Sequence, residues 1–211
     1  MGRHAFLGSS VRTEEPDPEV DAWLRMEEGP IVYVSLGSFL SVRSDVLARI
    51  VEALRSLDVR VALATGSTLP DALGPISASW LVRAELPQVT LLGRAVFAVS
   101  HGGNNSVTEA LTAGVPLLLL PFSTDQFAGA ASLETAGLGE VLDPNSATPE
   151  ELRAAALRLL SLHPDAADRL AQLSEDLTRT PGAQRAREAL LAADDETREP
   201  AHPPATGGAR S

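Results

Sequence analysis

The chain reads as a single α/β domain on a doubly wound, mostly parallel, Rossmann-like sheet, and three observations lead there. Short runs of β-branched and aliphatic residues at 31–36, 60–65, 96–100 and 116–120 alternate with stretches of helical periodicity. The connections between them are short and rich in glycine, serine and proline, as parallel strands joined by crossover helices require. The run at 96–100 passes through His101-Gly102-Gly103 into a helix, the step at which open α/β sheets bind ligands. With 211 residues, 44% of them apolar, the chain is large enough for one substantial core. The domain is assigned to 28–192, with 1–27 as a lead-in and 193–211 as a disordered tail of acids, Pro, Gly and Ala.

Taken in order, 12–18 is acid- and proline-rich and precedes a short helical pattern at Val20, Trp23 and Leu24, with Trp23 read as packing rather than stacking. The run IVYVSL at 31–36, followed by Gly37-Ser38, is a buried first strand ending in a tight turn. Ser44 is placed as the cap of a helix over 45–57 whose apolar face carries Val46, Leu47, Ile50, Val51, Leu54 and Leu57. A second strand takes 60–65, and the composition of 66–79 marks a long, mobile loop before a short third strand at 80–83. Pro87 opens a short helix carrying Val89, Leu91 and Leu92, after which 96–100 is the fourth strand. Gly114 ends the helix after His101 as a left-handed cap, 116–120 is the fifth strand, a helix over 126–135 stops at Gly137, and 139–142 is the sixth strand. Thr148-Pro149-Glu150-Glu151 starts the closing helical region, with a capping threonine, proline in the first position and acids in the first turn. That region, broken at His163-Pro164 and Pro181-Gly182, makes two or three amphipathic helices.

Composition removes several classes of function. The formal net charge is −11 and all 17 basic residues are arginine, which argues against a nucleic-acid partner. Without lysine there is no Walker-type phosphate loop and no Schiff base. Without cysteine there is no disulfide, thiol nucleophile or sulfur-ligated zinc, and the four histidines and the acids fall into no metal-ligand spacing. The amino terminus lacks a signal-peptide core and no apolar run is long enough to span a bilayer, so a cytoplasmic protein with no membrane partner is expected.

The chemistry concentrates at 101–126. Gly102 and Gly103 leave the free amides at the following helix start accessible, and those amides with the helix dipole favour an anion such as phosphate. Asn105 and Ser106 add donors in the first turn. His101 either donates to the same anion or serves as a capping or core histidine, and its glycine and Asn-Ser neighbours favour the ligand role. Glu109, on the face of Ser106, is either an acceptor for ribose hydroxyls or a charge that favours the positive helix end. Asp125 and Gln126, after the fifth strand, suit the vicinal hydroxyls of a sugar, with a plain helix cap as the other reading of Asp125.

Residues 101–126, HGGNNSxxExxxxGVPxxxxPxxxDQ, resemble the donor-sugar signature of the GT-B, family 1 nucleotide-diphosphate-sugar glycosyltransferases. The strand ending Ser35-Leu36-Gly37-Ser38 and the element Leu86-Pro87-Gln88 resemble further parts of that family's C-terminal half, and the likeness extends over roughly 6–193. The resemblance implies that His101, Asn105 and Ser106 bind the diphosphate with Ser38, that Glu109 holds the ribose, that Gln88 lies near the base, and that Asp125 and Gln126 hold the transferred sugar. An aromatic base-stacking residue is usual in the family where this chain has Glu85; Trp80 is the other aromatic nearby, and its apolar setting favours a core role.

The same resemblance places the acceptor pocket and the catalytic base in an amino-terminal half. No histidine here suits the base: His4 and His202 lie in the tails, and His163 precedes Pro164 at a helix break. The expected function is therefore that of the donor-binding half of an inverting hexosyltransferase. It would use a UDP- or dTDP-hexose, without cofactor or metal, and a small-molecule acceptor bound by an amino-terminal domain or partner chain. The alternatives are a non-catalytic nucleotide-sugar-binding module and the donor subunit of a two-chain transferase. A hydrolase lacks its Gly-x-Ser-x-Gly elbow here, and a dehydrogenase lacks its glycine fingerprint, since Gly137-Leu138-Gly139 runs into Glu-Val-Leu.

Overall fold

The computed structural model describes residues 10–26, 28–37, 43–179 and 182–197. Its strands are β1 (Ile31–Ser35), β2 (Arg60–Ala64), β3 (Leu81–Arg83), β4 (Ala95–Ser100), β5 (Leu117–Leu119) and β6 (Gly139–Val141). They form one sheet in the order β3-β2-β1-β4-β5-β6, every pair parallel. Strand order reverses between β1 and β4, which makes the crevice beyond their carboxyl ends the topological switch point of the fold.

Both faces of the sheet are covered, which explains why its strands read as continuous apolar runs. Val32 and Val34, Val61 and Leu63, Phe97 and Val99, and Leu118 and Leu120 point to one side. There they meet Leu47, Ile50 and Leu54 of α2 (Ser44–Arg55) and Leu152, Ala155 and Leu159 of α6 (Pro149–Leu160). Tyr33, Ala62, Ala98, Leu117 and Leu119 point to the other side. They pack with Val20 and Trp23 of α1 (Pro18–Met26), Leu91 and Leu92 of α3 (Gln88–Leu92), Ala110 of α4 (Asn104–Thr112), Ala130 and Leu133 of α5 (Thr124–Thr135) and Leu170 of α7 (Pro164–Arg179). Trp23 is a packing residue: its indole donates to the Ser79 carbonyl at 2.9 Å and its ring lies 4.0 Å from the Arg60 guanidinium carbon. Trp80 is likewise in the core, 8% exposed.

The helix ends show which local signals work. Gly114 and Gly137, both at φ +71°, terminate α4 and α5 in the left-handed conformation that costs other residues more. At α6 the Thr148 hydroxyl accepts the Glu151 amide at 3.2 Å and Glu151 accepts the Thr148 amide at 2.9 Å, a complete capping box.

Four expectations are corrected. Ser44 is the first residue of α2, not its cap. Arg43 precedes the helix without a side-chain cap bond and pairs instead with Asp45 at 2.8 Å. The helix before β6 begins at Thr124, two residues ahead of Gln126. The loop at 66–79 is pinned by a 3-10 turn, Pro70–Leu73, which buries Leu73 in the core. Finally α8 (Gly182–Thr197) runs past 192 into the segment expected to be a tail, the rest of which, 198–211, lies outside the described residues.

Candidate functional site

The site is built where β1 and β4, paired Ser35 to Ser100, end side by side. Each serine hydroxyl accepts the amide two residues on, Gly37 at 3.2 Å and Gly102 at 3.2 Å, which fixes two matching turns. Gly37 at φ +76° and Gly102 at φ +83° supply left-handed conformations there. Their role is also steric. A Cβ on Gly37 would lie 2.9 Å from the His101 ring carbon Cε1, and one on Gly103 would overlap the same ring. Gly37 and Gly103 thus form the slot that holds the imidazole.

His101 is half-buried in that slot, and its Nδ1 is buried with no hydrogen-bond partner among the described residues. Burial holds its pKa below the usual 6.5, opposed by the negative charge of Asp125 nearby. At neutral pH it is an uncharged imidazole, able to donate one hydrogen bond. Beside it α4 begins at Asn104 from Gly103, whose backbone is extended and which has no side chain to cap the first turn. The first-turn amides of α4 therefore face the crevice uncapped, with Asn105 exposed and Ser106 half-buried beside them.

One turn further, Glu109 is 5% exposed and lies in a polar network. Its Oε2 accepts the Gln88 side-chain amide at 2.5 Å, and Gln88 Nε2 also lies 3.4 Å from Ser106 Oγ. The Tyr33 hydroxyl donates to Gln88 Oε1 at 3.3 Å, and burial pushes its pKa up to about 12. Glu109 Oε1 is 3.6 Å from Arg12 Nε. A carboxylate so partnered is more than a charge at a helix end.

At α5 the two readings of Asp125 separate. Ser123 precedes the helix, and the Gln126 Oε1 accepts the Phe122 and Ser123 amides at 2.8 and 3.2 Å. Asp125 is not the cap; its exposed carboxylate accepts the Ser123 hydroxyl at 2.6 Å, and that bond leads the causes that hold its pKa below 3.8. The Gln126 stem packs 3.8 Å from the position of a Cβ on Gly102, which brings this loop against the same turn. His101, Gly102, Gly103, Asn105, Ser106, Glu109, Gln88, Asp125 and Gln126 thus gather around the carboxyl ends of β4 and β5, whereas Ser38 lies outside the described residues. Glu85 is exposed, and Trp80 is buried in the core as expected. His163 is exposed at the start of α7, and His4 and His202 lie outside the described residues.

Two residues escaped the sequence reading. Glu14 accepts the backbone amides of Val89 and Thr90 at 3.0 and 2.9 Å and the Thr90 hydroxyl at 3.0 Å, closing the first turn of α3 from a distance in sequence. Arg12 bridges Glu14 at 3.3 Å and Glu109. No periodicity or motif marks either one.

A switch-point crevice with an uncapped helix start, a buried carboxylate and polar loop ends lies where open α/β sheets bind ligands. Residues 8–179 match the UDP-glucoronosyl and UDP-glucosyl transferase family, to which the chain belongs. It is 29% identical over 187 residues to the NDP-glycosyltransferase YjiC of Bacillus subtilis, covering 87% of this chain and 46% of that protein. It is 35% identical over 164 residues to the demethyllactenocin mycarosyltransferase of Streptomyces fradiae, covering 75% of this chain and 34% of the relative. Among solved structures, the calicheamicin glycosyltransferase CalG4 superimposes with a TM-score of 0.78 at 27% identity, covering 92% of this chain and 49% of the other. The likeness read from 101–126 is thereby borne out for the family and its GT-B fold, and the chain spans about half the length of these relatives or less. Among the described residues no helix is long and apolar enough to cross a membrane.

Proposed function

We propose that the chain is the C-terminal, donor-binding half of an inverting glycosyltransferase, and that it binds a nucleotide diphosphate sugar at the β1/β4 crevice. The observation that carries this reading is the convergence of the uncapped α4 start, the His101 slot and the buried Glu109 carboxylate at one switch point. The diphosphate lies against the first-turn amides, with His101, Asn105 and Ser106 as side-chain donors. Those fixed dipoles stabilise the negative charge that develops on the nucleoside diphosphate as it leaves. Glu109 accepts the hydroxyls of the nucleoside sugar, Gln88 lies near the base, and Asp125 and the Gln126 side-chain amide orient the hexose. Ser38 joins the diphosphate site by family resemblance. The acceptor hydroxyl attacks the anomeric carbon from the face opposite the leaving diphosphate, and its proton passes to a base outside this chain. Donor binding needs no metal or cofactor, and chelator treatment leaves it unchanged.

Isothermal titration with UDP, dTDP and GDP tests this. UDP or dTDP binds, and His101→Ala and Glu109→Ala each weaken it by about tenfold or more. Unchanged affinity in both variants overturns the site. A second reading is a donor subunit that works with an acceptor-binding chain. Mixing with such a half restores transfer under either catalytic reading and not for a purely binding module.

A further inference from the structure

Two carboxylates pin the lead-in before α1. Asp17 pairs with Arg83, the last residue of β3, at 2.8 Å. Glu14, whose side chain is only 12% exposed, accepts the Val89 and Thr90 backbone amides at 3.0 and 2.9 Å and the Thr90 hydroxyl at 3.0 Å. Arg12 donates to Glu14 Oε1 at 3.3 Å. Both amides lie in the first turn of α3, which offers them no carbonyl of its own, so Glu14 supplies the missing acceptor. They also directly follow Gln88, and Glu14 thereby fixes the backbone from which the Gln88 side chain departs.

Gln88 is the pivot of the buried network. Its Nε2 donates to Glu109 Oε2 at 2.5 Å and its Oε1 accepts the Tyr33 hydroxyl at 3.3 Å. One orientation of the amide satisfies both partners, since a flip would set Oε1 against the Glu109 carboxylate, acceptor facing acceptor. A shift of the backbone at 88–90 would leave Glu109 or Tyr33 buried without this partner, which is costly. We propose that Glu14 is a positioning residue for the donor site: it touches no nucleotide itself, and acts by holding Gln88 so that Nε2 aims the Glu109 carboxylate at the nucleoside. The proposal rests on the reading of Gln88 and Glu109 as nucleoside contacts.

Titrating UDP and dTDP into the parent, Glu14→Ala, Gln88→Ala and the double variant separates positioning from a merely structural role. Glu14→Ala weakens the nucleotide that the parent binds by about fivefold, and Glu14→Gln, which keeps the volume and one acceptor oxygen, by about threefold. In the Gln88→Ala background the further loss from either Glu14 substitution falls below about twofold, because the group it positions is gone. Circular dichroism verifies the fold of each variant, and where Glu14→Ala does not fold the same cycle is run with Glu14→Gln. Unchanged affinity in both Glu14 variants, or an equal loss with and without Gln88, overturns the proposal while leaving the donor site standing. Failure of both nucleotides to bind the parent chain removes the donor-site reading and this inference with it.

Discussion

Two helix starts in this molecule are built in opposite ways. At α6 the Thr148 hydroxyl and the Glu151 carboxylate each engage the other residue's amide, and Pro149 needs no partner. At α4 the preceding residue is Gly103, with no side chain, and the amides that follow face a crevice. A capped start contributes to folding, whereas an uncapped one beside a half-buried imidazole and a buried carboxylate leaves its donors for something else. The contrast is between a start closed by its own side chains and one left open to a ligand.

The comparison can be broken at several points. The largest effect is expected at Gly103→Ala, whose new Cβ overlaps the His101 ring. The imidazole turns out of its slot, so nucleotide affinity falls by about tenfold or more while the melting temperature barely moves. Native-like affinity in calorimetry would show that the slot is irrelevant to binding. Thr148→Ala gives the converse result: about 1 kcal/mol of stability is lost in denaturant unfolding, with nucleotide affinity unchanged. A change in affinity there would erase the distinction between the two starts.

The smallest effect is in pH dependence. Burial depresses the folded-state pKa of His101 below 6.5, so the unfolded chain takes up the proton more readily than the native one. The stability linked to this group is fully present above about pH 6.5 and is lost as pH falls through the native pKa. Between about pH 7 and 5 the melting temperature of the parent should drop more than that of His101→Gln. Parallel curves would place the imidazole in solvent.

What the sequence disclosed and withheld follows from the range of each signal. Strands buried on both faces announce themselves as apolar runs, and Gly114, Gly137 and Thr148 act within a few residues of the ends they define, so the sheet and most helix limits were legible. The turn at 101–106 was legible for the same reason. Arg12, Glu14 and the Gly37–His101 slot were not, because each depends on chain segments brought together only by the fold. Arg43 and Ser44 show a subtler failure: a residue type suited to capping was present, but the helix starts one place earlier, after Arg43, which pairs with Asp45. At α8 the helix continues through 193–197, the first part of the segment read as a tail, and 198–211 lie outside the described residues.

The most direct test follows the backbone amides themselves by two-dimensional 1H–15N NMR as UDP or dTDP is added to the chain. The account predicts the largest shifts at 102–106, smaller ones at Glu109 and Gln126, and none at 148–151. Saturable shifts centred elsewhere, with 102–106 unmoved, would contradict it.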